Sequence, residues 1–143
     1  MSAPTQAYAG DVDSRRAWEL LEQEPKATLI DVRTNPECRY VGHPDLKTLG
    51  KSPVFVEWQA YPDLARNERF AAEIAAKGIA KDAPLLFLCR SGARSKAAAI
   101  LLTGLGYERC YNVADGFEGP KDGEGHRGQN AGWKAAGLPW QQD

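Results

Sequence analysis

The sequence has few of the residues that build disulfide frameworks and metal sites. Its 143 residues include three cysteines, Cys38, Cys89 and Cys110, an odd number without a CxxC pair. That usage is typical of thiols in a reducing compartment and not of a disulfide framework. The two histidines, His43 and His126, have no third ligand at usable spacing, so the sequence predicts no metal site.

Long apolar runs and blocks of like charge are also missing. The longest apolar segment, residues 97–105, is too short to cross a bilayer. Residues 1–10 lack the basic and then apolar pattern of a signal peptide. The 18 basic and 19 acidic residues are spread along the chain and give a net charge of −1. We therefore predict a cytoplasmic protein with neither a membrane nor a nucleic-acid partner, and the sequence identifies no protein partner.

Helical and extended patterns alternate along the chain. Apolar residues at helical spacing predict helices over residues 13–24, 67–78 and 94–106. The first has Asp13 or Ser14 as its N-cap candidate, and the second has Asn67. Short apolar runs predict buried strands over residues 27–32, 52–58, 83–89 and 108–113.

This alternation predicts the fold class. Strands that alternate with helices pair in parallel, and strands that are apolar throughout are covered on both faces of their sheet. We predict a single layered α/β domain over residues 1–143, with a flexible tail at residues 1–9. Residues 40–51 and 115–132 are predicted loops, and the second contains six glycines. Loops of this length in a compact domain are typically functional or mobile.

The segment "CRSGARS", residues 89–95, is the strongest candidate for chemistry and is called the cysteine loop below. Cys89 ends the best predicted strand, at the edge of the sheet where ligands bind in parallel α/β proteins. Gly92 permits the sharp turn into the following helix, and the turn directs backbone N–H groups inward as an anion-binding nest. Such a nest, with Arg90 and Arg94 beside it, stabilises the thiolate and an anionic substrate.

Packing offers a second interpretation of the same residues. An isolated cysteine that ends an apolar strand is commonly a small buried hydrophobe. Two arginines, a glycine and a helix start within six residues of Cys89 are hard to explain by packing alone. Cys110, inside a predicted strand, is interpreted as core, and Cys38 is either incidental or a resolving thiol for Cys89. Glu37 is either a partner of a loop arginine or a solvated acid at a helix start.

The cysteine loop resembles the active-site loop of the rhodanese family, the thiosulfate sulfurtransferase-like proteins. The resemblance extends to "LIDVRTNPE" at 29–37, "GH" at 42–43 and "LGYERCYNVADGFEG" at 105–119. The closing "GWKAAGLPW" at 132–140 is similar to the C-terminal helix and Gly-Leu-Pro of single-domain members. The resemblance implies a rhodanese-like three-layer fold, with a central, mostly parallel five-stranded sheet flanked by helices.

The resemblance also implies the chemistry of a sulfurtransferase. Cys89 is then the catalytic residue that carries sulfur as a persulfide, and Asp31 and Arg33 brace the loop from behind it. The reactants are a small anionic sulfur donor such as thiosulfate and a thiol or cyanide acceptor, without a cofactor. The residues that then bind the substrate are Arg90, Ser91, Gly92, Ala93, Arg94 and Ser95.

Two departures from the family pattern affect substrate access. "GHPDLKTLGK" replaces the usual "GHIPGA", and "DG" at 115–116 replaces Gly-Gly ahead of a lengthened glycine-rich loop. In that loop His126, beside Arg127, is either an anion-receiving group or a solvated histidine.

Two alternatives to sulfur transfer stay open on the sequence. Phosphatases and arsenate reductases with a C-x5-R loop need an arginine six positions after the cysteine, where this chain has Ser95. The shorter loop gives a narrower nest, which favours a single sulfur atom over a phosphoryl group. The second alternative is a non-catalytic rhodanese-like module that binds or senses.

Overall fold

A computed structural model describes residues 7–60, 65–119 and 132–142, arranged around a central sheet. The strands are β1 (Gly10–Val12), β2 (Thr28–Asp31), β3 (His43–Pro44), β4 (Val54–Phe55), β5 (Gln59–Ala60), β6 (Ala65–Arg66), β7 (Pro84–Leu88), β8 (Arg109–Val113) and β9 (Trp140–Gln141). The helices are α1 (Ser14–Gln23), α2 (Asn35–Val41), α3 (Phe70–Ala76) and α4 (Ala93–Gly104), with one 3₁₀ turn at Lys47–Leu49.

Five strands form the main sheet in the order β1-β8-β7-β2-β4, and every pair in it is parallel. β7 occupies the centre and all five of its residues are buried. Two short antiparallel pairs, β3–β9 and β5–β6, lie outside this sheet. The predicted mostly parallel five-stranded sheet is therefore confirmed.

Apolar side chains cover both faces of the sheet and give the fold its three layers. Successive residues of a strand point to opposite faces, so β7 contributes to two cores. Leu85 and Phe87 lie in the same cluster as side chains of α3 and α4. Leu86 and Leu88 lie in the other cluster, with side chains of α1 and the C-terminal segment. This burial on both faces is why the strand is apolar throughout.

The predicted helix starts were confirmed in one case and wrong in another. Asp13 caps α1, because its side chain accepts a hydrogen bond from the Arg16 N–H at 2.8 Å. Asn67 does not cap α3, which begins at Phe70. Its side-chain oxygen instead accepts from the Arg69 N–H, and its amide donates to the Glu57 carbonyl. Asn67 therefore stabilises the turn that precedes the helix.

Two features of the structure differ from the sequence predictions, and two further predictions concern residues outside the described ranges. β1 was not predicted, because three residues with Asp11 at their centre show no apolar run. Residues 133–137 form turns, and the C-terminal helix implied by the resemblance is not found within residues 132–142. Most of the glycine-rich loop, with His126, lies outside the described residues, as do residues 1–6 of the expected tail. None of the helices in the described ranges is both long enough and apolar enough to span a membrane.

Candidate active site

Cys89 lies immediately after the C-terminal end of β7, where the chain turns into α4. Gly92 makes the turn with a φ of 104°, a left-handed conformation that favours glycine. A Cβ at this position would also lie 2.3 Å from the Ala114 carbonyl oxygen, so no other residue fits without movement. Cys89 is 1% exposed and packs in the cluster that contains α4.

Two groups of the cysteine loop contact the sulfur. The Gly92 N–H donates to Cys89 Sγ at 3.1 Å, and Ser95 Oγ lies 3.2 Å from the same atom. The hydrogen bonds of α4 begin with the Lys96 N–H on the Gly92 carbonyl, so the amides of residues 93–95 have no acceptor within the helix. The N-terminus of α4, which is the positive end of the helix dipole, therefore lies beside the sulfur. This arrangement stabilises an anionic sulfur.

A polar side chain on the neighbouring strand completes the contacts of Ser95. Ser95 Oγ lies 2.6 Å from Asn112 Oδ1, and Asn112 Nδ2 lies 3.0 Å from Asp11 Oδ1. Asn112 is buried on β8, and sequence reasoning missed it as a residue of the site. An asparagine within the buried run "CYNV" was the available signal, because buried amides need hydrogen-bond partners.

The structure pairs Arg94 with Glu37. Arg94 Nη1 and Nη2 donate to Glu37 Oε1 and Oε2 at 2.7 and 2.9 Å, a bidentate geometry that links α4 to α2. Of the two interpretations of Glu37 left open by the sequence, the structure shows the pairing with a loop arginine. The hydrogen bonds from Arg94 to Glu37 raise the pKa of Arg94, so its charge is permanent.

The other members of the cysteine loop, Arg90, Ser91 and Ala93, are exposed. Arg90 Nε forms an ion pair with Glu118 at 3.2 Å, and the Arg90 carbonyl accepts from the N–H groups of Glu118 and Gly119. The residues that follow β8 therefore clamp the loop from its outer side.

Asp31 and Arg33 form a buried ion pair behind the site. Arg33 Nη2 lies 2.7 Å from Asp31 Oδ2 and 2.8 Å from the Gly42 carbonyl oxygen. The guanidinium carbon lies 4.2 Å above the centre of the Phe117 ring, and the Phe117 N–H donates to the Cys89 carbonyl at 2.8 Å. Arg33 thus contacts the cysteine through a single intermediate residue.

The remaining cysteines are buried thiols with little nucleophilic character. Burial, with the charge of Asp31, raises the pKa of Cys38 to about 12. Burial also raises the pKa of Cys110, which belongs to the α4 core as predicted. A thiol that stays protonated at neutral pH is a poor attacking group, which argues against Cys38 as a resolving thiol. Within residues 7–60, 65–119 and 132–142, no cluster of three or more His, Cys, Asp or Glu side chains could hold a metal ion.

Comparison with known proteins places the chain in a family. The family model described as STR4 middle domain matches residues 9–143. The chain belongs to this family. Uncharacterized protein RC0915 of Rickettsia conorii is 40% identical over 131 residues, which cover 92% of this chain and 96% of that protein. The crystal structure of Rv0390 from M. tuberculosis superposes on this chain with a TM-score of 0.88 and is 50% identical in sequence. The match covers 95% of this chain and 99% of the Rv0390 chain.

More distant relatives of this chain are named rhodanese-like or thiosulfate sulfurtransferase. The chloroplastic protein THYLAKOID RHODANESE-LIKE of Oryza sativa subsp. indica is 28% identical over 131 residues, and the match spans a quarter (25%) of its length. Thiosulfate sulfurtransferase GlpE of Actinobacillus succinogenes is 26% identical over 129 residues, 90% of this chain and 87% of that protein. The predicted α/β three-layer fold is confirmed, and these relatives support the predicted resemblance to rhodanese-like proteins.

Proposed function

We propose that this protein is a sulfurtransferase that carries a sulfane sulfur on Cys89, from thiosulfate or a similar anionic donor to a thiol or cyanide. One observation supports this proposal above others. The sulfur lies at the C-terminal end of the central strand, 3.1 Å from a backbone N–H donor and beside the N-terminus of α4. Dipoles fixed in this way stabilise an anionic sulfur without any reorganisation during the reaction.

The proposed reaction is a double displacement. The Cys89 thiolate attacks the outer sulfur of thiosulfate, so a new S–S bond forms while the donor's S–S bond breaks and sulfite leaves with the electron pair. The persulfide anion is stabilised by the loop amides. Cyanide or a thiolate then attacks the outer sulfur, and the electron pair of the breaking S–S bond returns to Cys89.

The burial of the sulfur restricts the donors that fit. Because Cys89 is 1% exposed, a donor has to present one projecting sulfur atom rather than a bulky reactive centre. Thiosulfate and persulfides have this shape. The same restriction disfavours phosphate esters, which need room for an in-line displacement at phosphorus.

The arginine geometry also supports sulfur transfer over phosphate cleavage. Both Nη atoms of Arg94 are bound to Glu37, so this guanidinium does not present its fork to a phosphoryl group at Cys89. In the proposed function Arg94 instead fixes the first turn of α4, whose amides bind the sulfur. A transferred sulfur needs fewer donors than the three oxygens of a phosphoryl group.

Intact-mass spectrometry after reaction with thiosulfate tests the proposal. We expect the wild-type mass to increase by one sulfur atom, cyanide to remove that increment, and Cys89→Ala to gain none. Cys38→Ala and Cys110→Ala are matched controls that keep Cys89 and are expected to gain one sulfur. A wild-type protein that gains no sulfur, from thiosulfate or from a persulfide donor, would support the non-catalytic module instead.

A further inference from the structure

A chain of hydrogen bonds extends from the buried sulfur to the surface. Cys89 Sγ contacts Ser95 Oγ at 3.2 Å, Ser95 Oγ contacts Asn112 Oδ1 at 2.6 Å, and Asn112 Nδ2 contacts Asp11 Oδ1 at 3.0 Å. Tyr8 donates its hydroxyl to the same Asp11 oxygen at 2.8 Å. Ser95 and Asn112 are buried, whereas Asp11 is exposed. This series of hydrogen bonds therefore connects α4, β8 and β1.

The direction of these hydrogen bonds follows from the chemistry of Asp11. An ionised carboxylate only accepts, so the NH₂ group of Asn112 has to face it. The parallel register of β1 and β8 pairs Asp11 with Asn112, which keeps the two side chains adjacent. The Asn112 oxygen is consequently turned towards Ser95.

Ser95 has a single hydroxyl proton for two neighbours. An amide oxygen only accepts, so the 2.6 Å contact with Asn112 Oδ1 requires that proton. Ser95 then offers Cys89 a lone pair, which suits an S–H donor. A thiolate or persulfide needs a donor instead, so it requires the hydroxyl to rotate towards the sulfur.

We propose that Asn112, oriented by Asp11, is a positioning residue that keeps the Ser95 proton away from Cys89 until the sulfur becomes anionic. On ionisation the proton of Cys89 passes to solvent, and the Ser95 hydroxyl rotates to donate to the sulfur. That rotation leaves Asn112 Oδ1 as a buried acceptor without its donor, which disfavours the anion. The anion is a catalytic intermediate only if the proposed function holds.

Other charged groups near Cys89 also affect the ionisation equilibrium of its sulfur. Arg94 of α4, with Glu37 of α2 as its partner, interacts electrostatically with Cys89. The Arg90–Glu118 pair lies on the outer side of the loop, and Lys96 of α4 lies 5.9 Å from the Tyr8 ring. The neutral substitution Asn112→Leu leaves all of these charges in place, so it isolates the hydrogen-bond effect.

The test is a pH titration of thiolate ultraviolet absorbance, with Cys89→Ala subtracted. Cys38 and Cys110 ionise at higher pH because of their burial, so they do not interfere near neutrality. Asn112→Leu removes the acceptor, and we expect the midpoint to fall by about one pH unit, roughly a tenfold change in the thiol–thiolate equilibrium. Asn112→Asp keeps an acceptor and adds negative charge, and we expect the midpoint to rise.

The decisive control repeats Asn112→Leu in a Ser95→Ala background, where no shift is expected because the rotating hydroxyl is gone. A shift of equal size in that background, or no shift in the protein that keeps Ser95, overturns the proposal.

If Asn112→Leu does not fold, variants of the exposed residue Asp11 are tested in its place. Asp11→Ala should lower the midpoint, whereas Asp11→Asn, which keeps an acceptor for Asn112, should lower it less; equal shifts overturn the proposal. A shift in protein that gains no sulfur from a donor would support this inference while contradicting the proposed function.

Discussion

Glu37 shows how one side chain stabilises the candidate site. Its carboxylate accepts both Nη donors of Arg94 and also the backbone N–H of Thr34, at the start of α2. Burial opposes the ionisation of Glu37. The hydrogen bonds and charge of Arg94, together with the hydrogen bonds from Thr34, outweigh this effect and lower the pKa of Glu37 to about 2. The side chain is 21% exposed, so solvent screens the pair only in part. Glu37 is therefore ionised in the folded protein over almost the whole acid range.

We expect Glu37→Gln to destabilise the protein in a pH-dependent way. The folded-state pKa lies below the ordinary 4.5, so the stabilisation is complete above 4.5 and is lost as the pH falls towards 2. The depression corresponds to at most about 3 kcal/mol, and with partial screening we expect a loss of about 2 kcal/mol at neutral pH. Urea unfolding of both proteins at neutral pH and through the acid range measures the difference.

Glu24→Gln is the matched control for this pair. Glu24 forms the same bidentate contact with Arg109 at 2.9 and 2.7 Å, but its side chain is 32% exposed and that of Arg109 is 40% exposed. We expect a smaller loss of stability there, because water competes for both partners. Equal losses in the two variants, or a Glu37→Gln effect independent of pH, would contradict the burial argument.

Individual residues of the site differ in how far the sequence could predict them. Cys89, Gly92 and Ser95 lie in one short motif, so their contacts are local and their roles could be inferred. Asn112 and Asp11 reach the sulfur only because β8 and β1 pair in a particular register. No local pattern specifies that register, which is why these two residues were missed.

At the scale of elements, the segment after β8 determines the shape of the cysteine loop. Gly116 has a φ of 69°, and a Cβ there would lie 2.3 Å from the Arg90 carbonyl oxygen. Asp115 holds this segment to α1 through Ser14 Oγ, at 2.8 Å. The loop and the segment therefore share one close backbone contact, which only glycine allows.

We expect Gly116→Ala to displace the cysteine loop and reduce sulfur loading of Cys89. Gly78→Ala is the matched control, since Gly78 has a φ of 73° but a Cβ added there would meet nothing within 4 Å. Both variants incur the left-handed strain of about 1–2 kcal/mol, and only Gly116→Ala adds a collision with backbone. Thermal unfolding and intact-mass loading are measured for both. Normal loading by Gly116→Ala would show that the close contact does not position the sulfur.

Elements were predictable where local signals agreed with packing. The Asp13 cap and the apolar stripe of α1 act within a few residues, and the structure confirms that helix. Asn67 was misassigned because its side chain bonds to a turn and to Glu57, which lies ten residues earlier. β1 is defined by its pairing with β8 rather than by its own composition.

At the scale of the whole molecule, the C-terminal segment packs back on the α1 face and supports the site. Trp133 is 0% exposed, its Nε1 donates to the Pro139 carbonyl at 2.7 Å, and its ring packs edge-on against Trp18. Its backbone N–H donates to the Gly116 carbonyl at 2.9 Å. Residues at opposite ends of the chain thus brace the segment that clamps the cysteine loop.

Trp133→Ala tests whether that long-range packing supports the site. Removing a fully buried tryptophan typically costs about 3–5 kcal/mol, and the looser Gly116 segment should also lower sulfur loading at temperatures where the variant is still folded. Trp140→Ala is the control, because Trp140 is 40% exposed and packs edge-on against Phe117; we expect a loss of about 1 kcal/mol. Urea unfolding gives the stabilities, and intact mass gives the loading. If folded Trp133→Ala loads sulfur as well as Trp140→Ala does, the C-terminal segment stabilises the molecule without positioning Cys89.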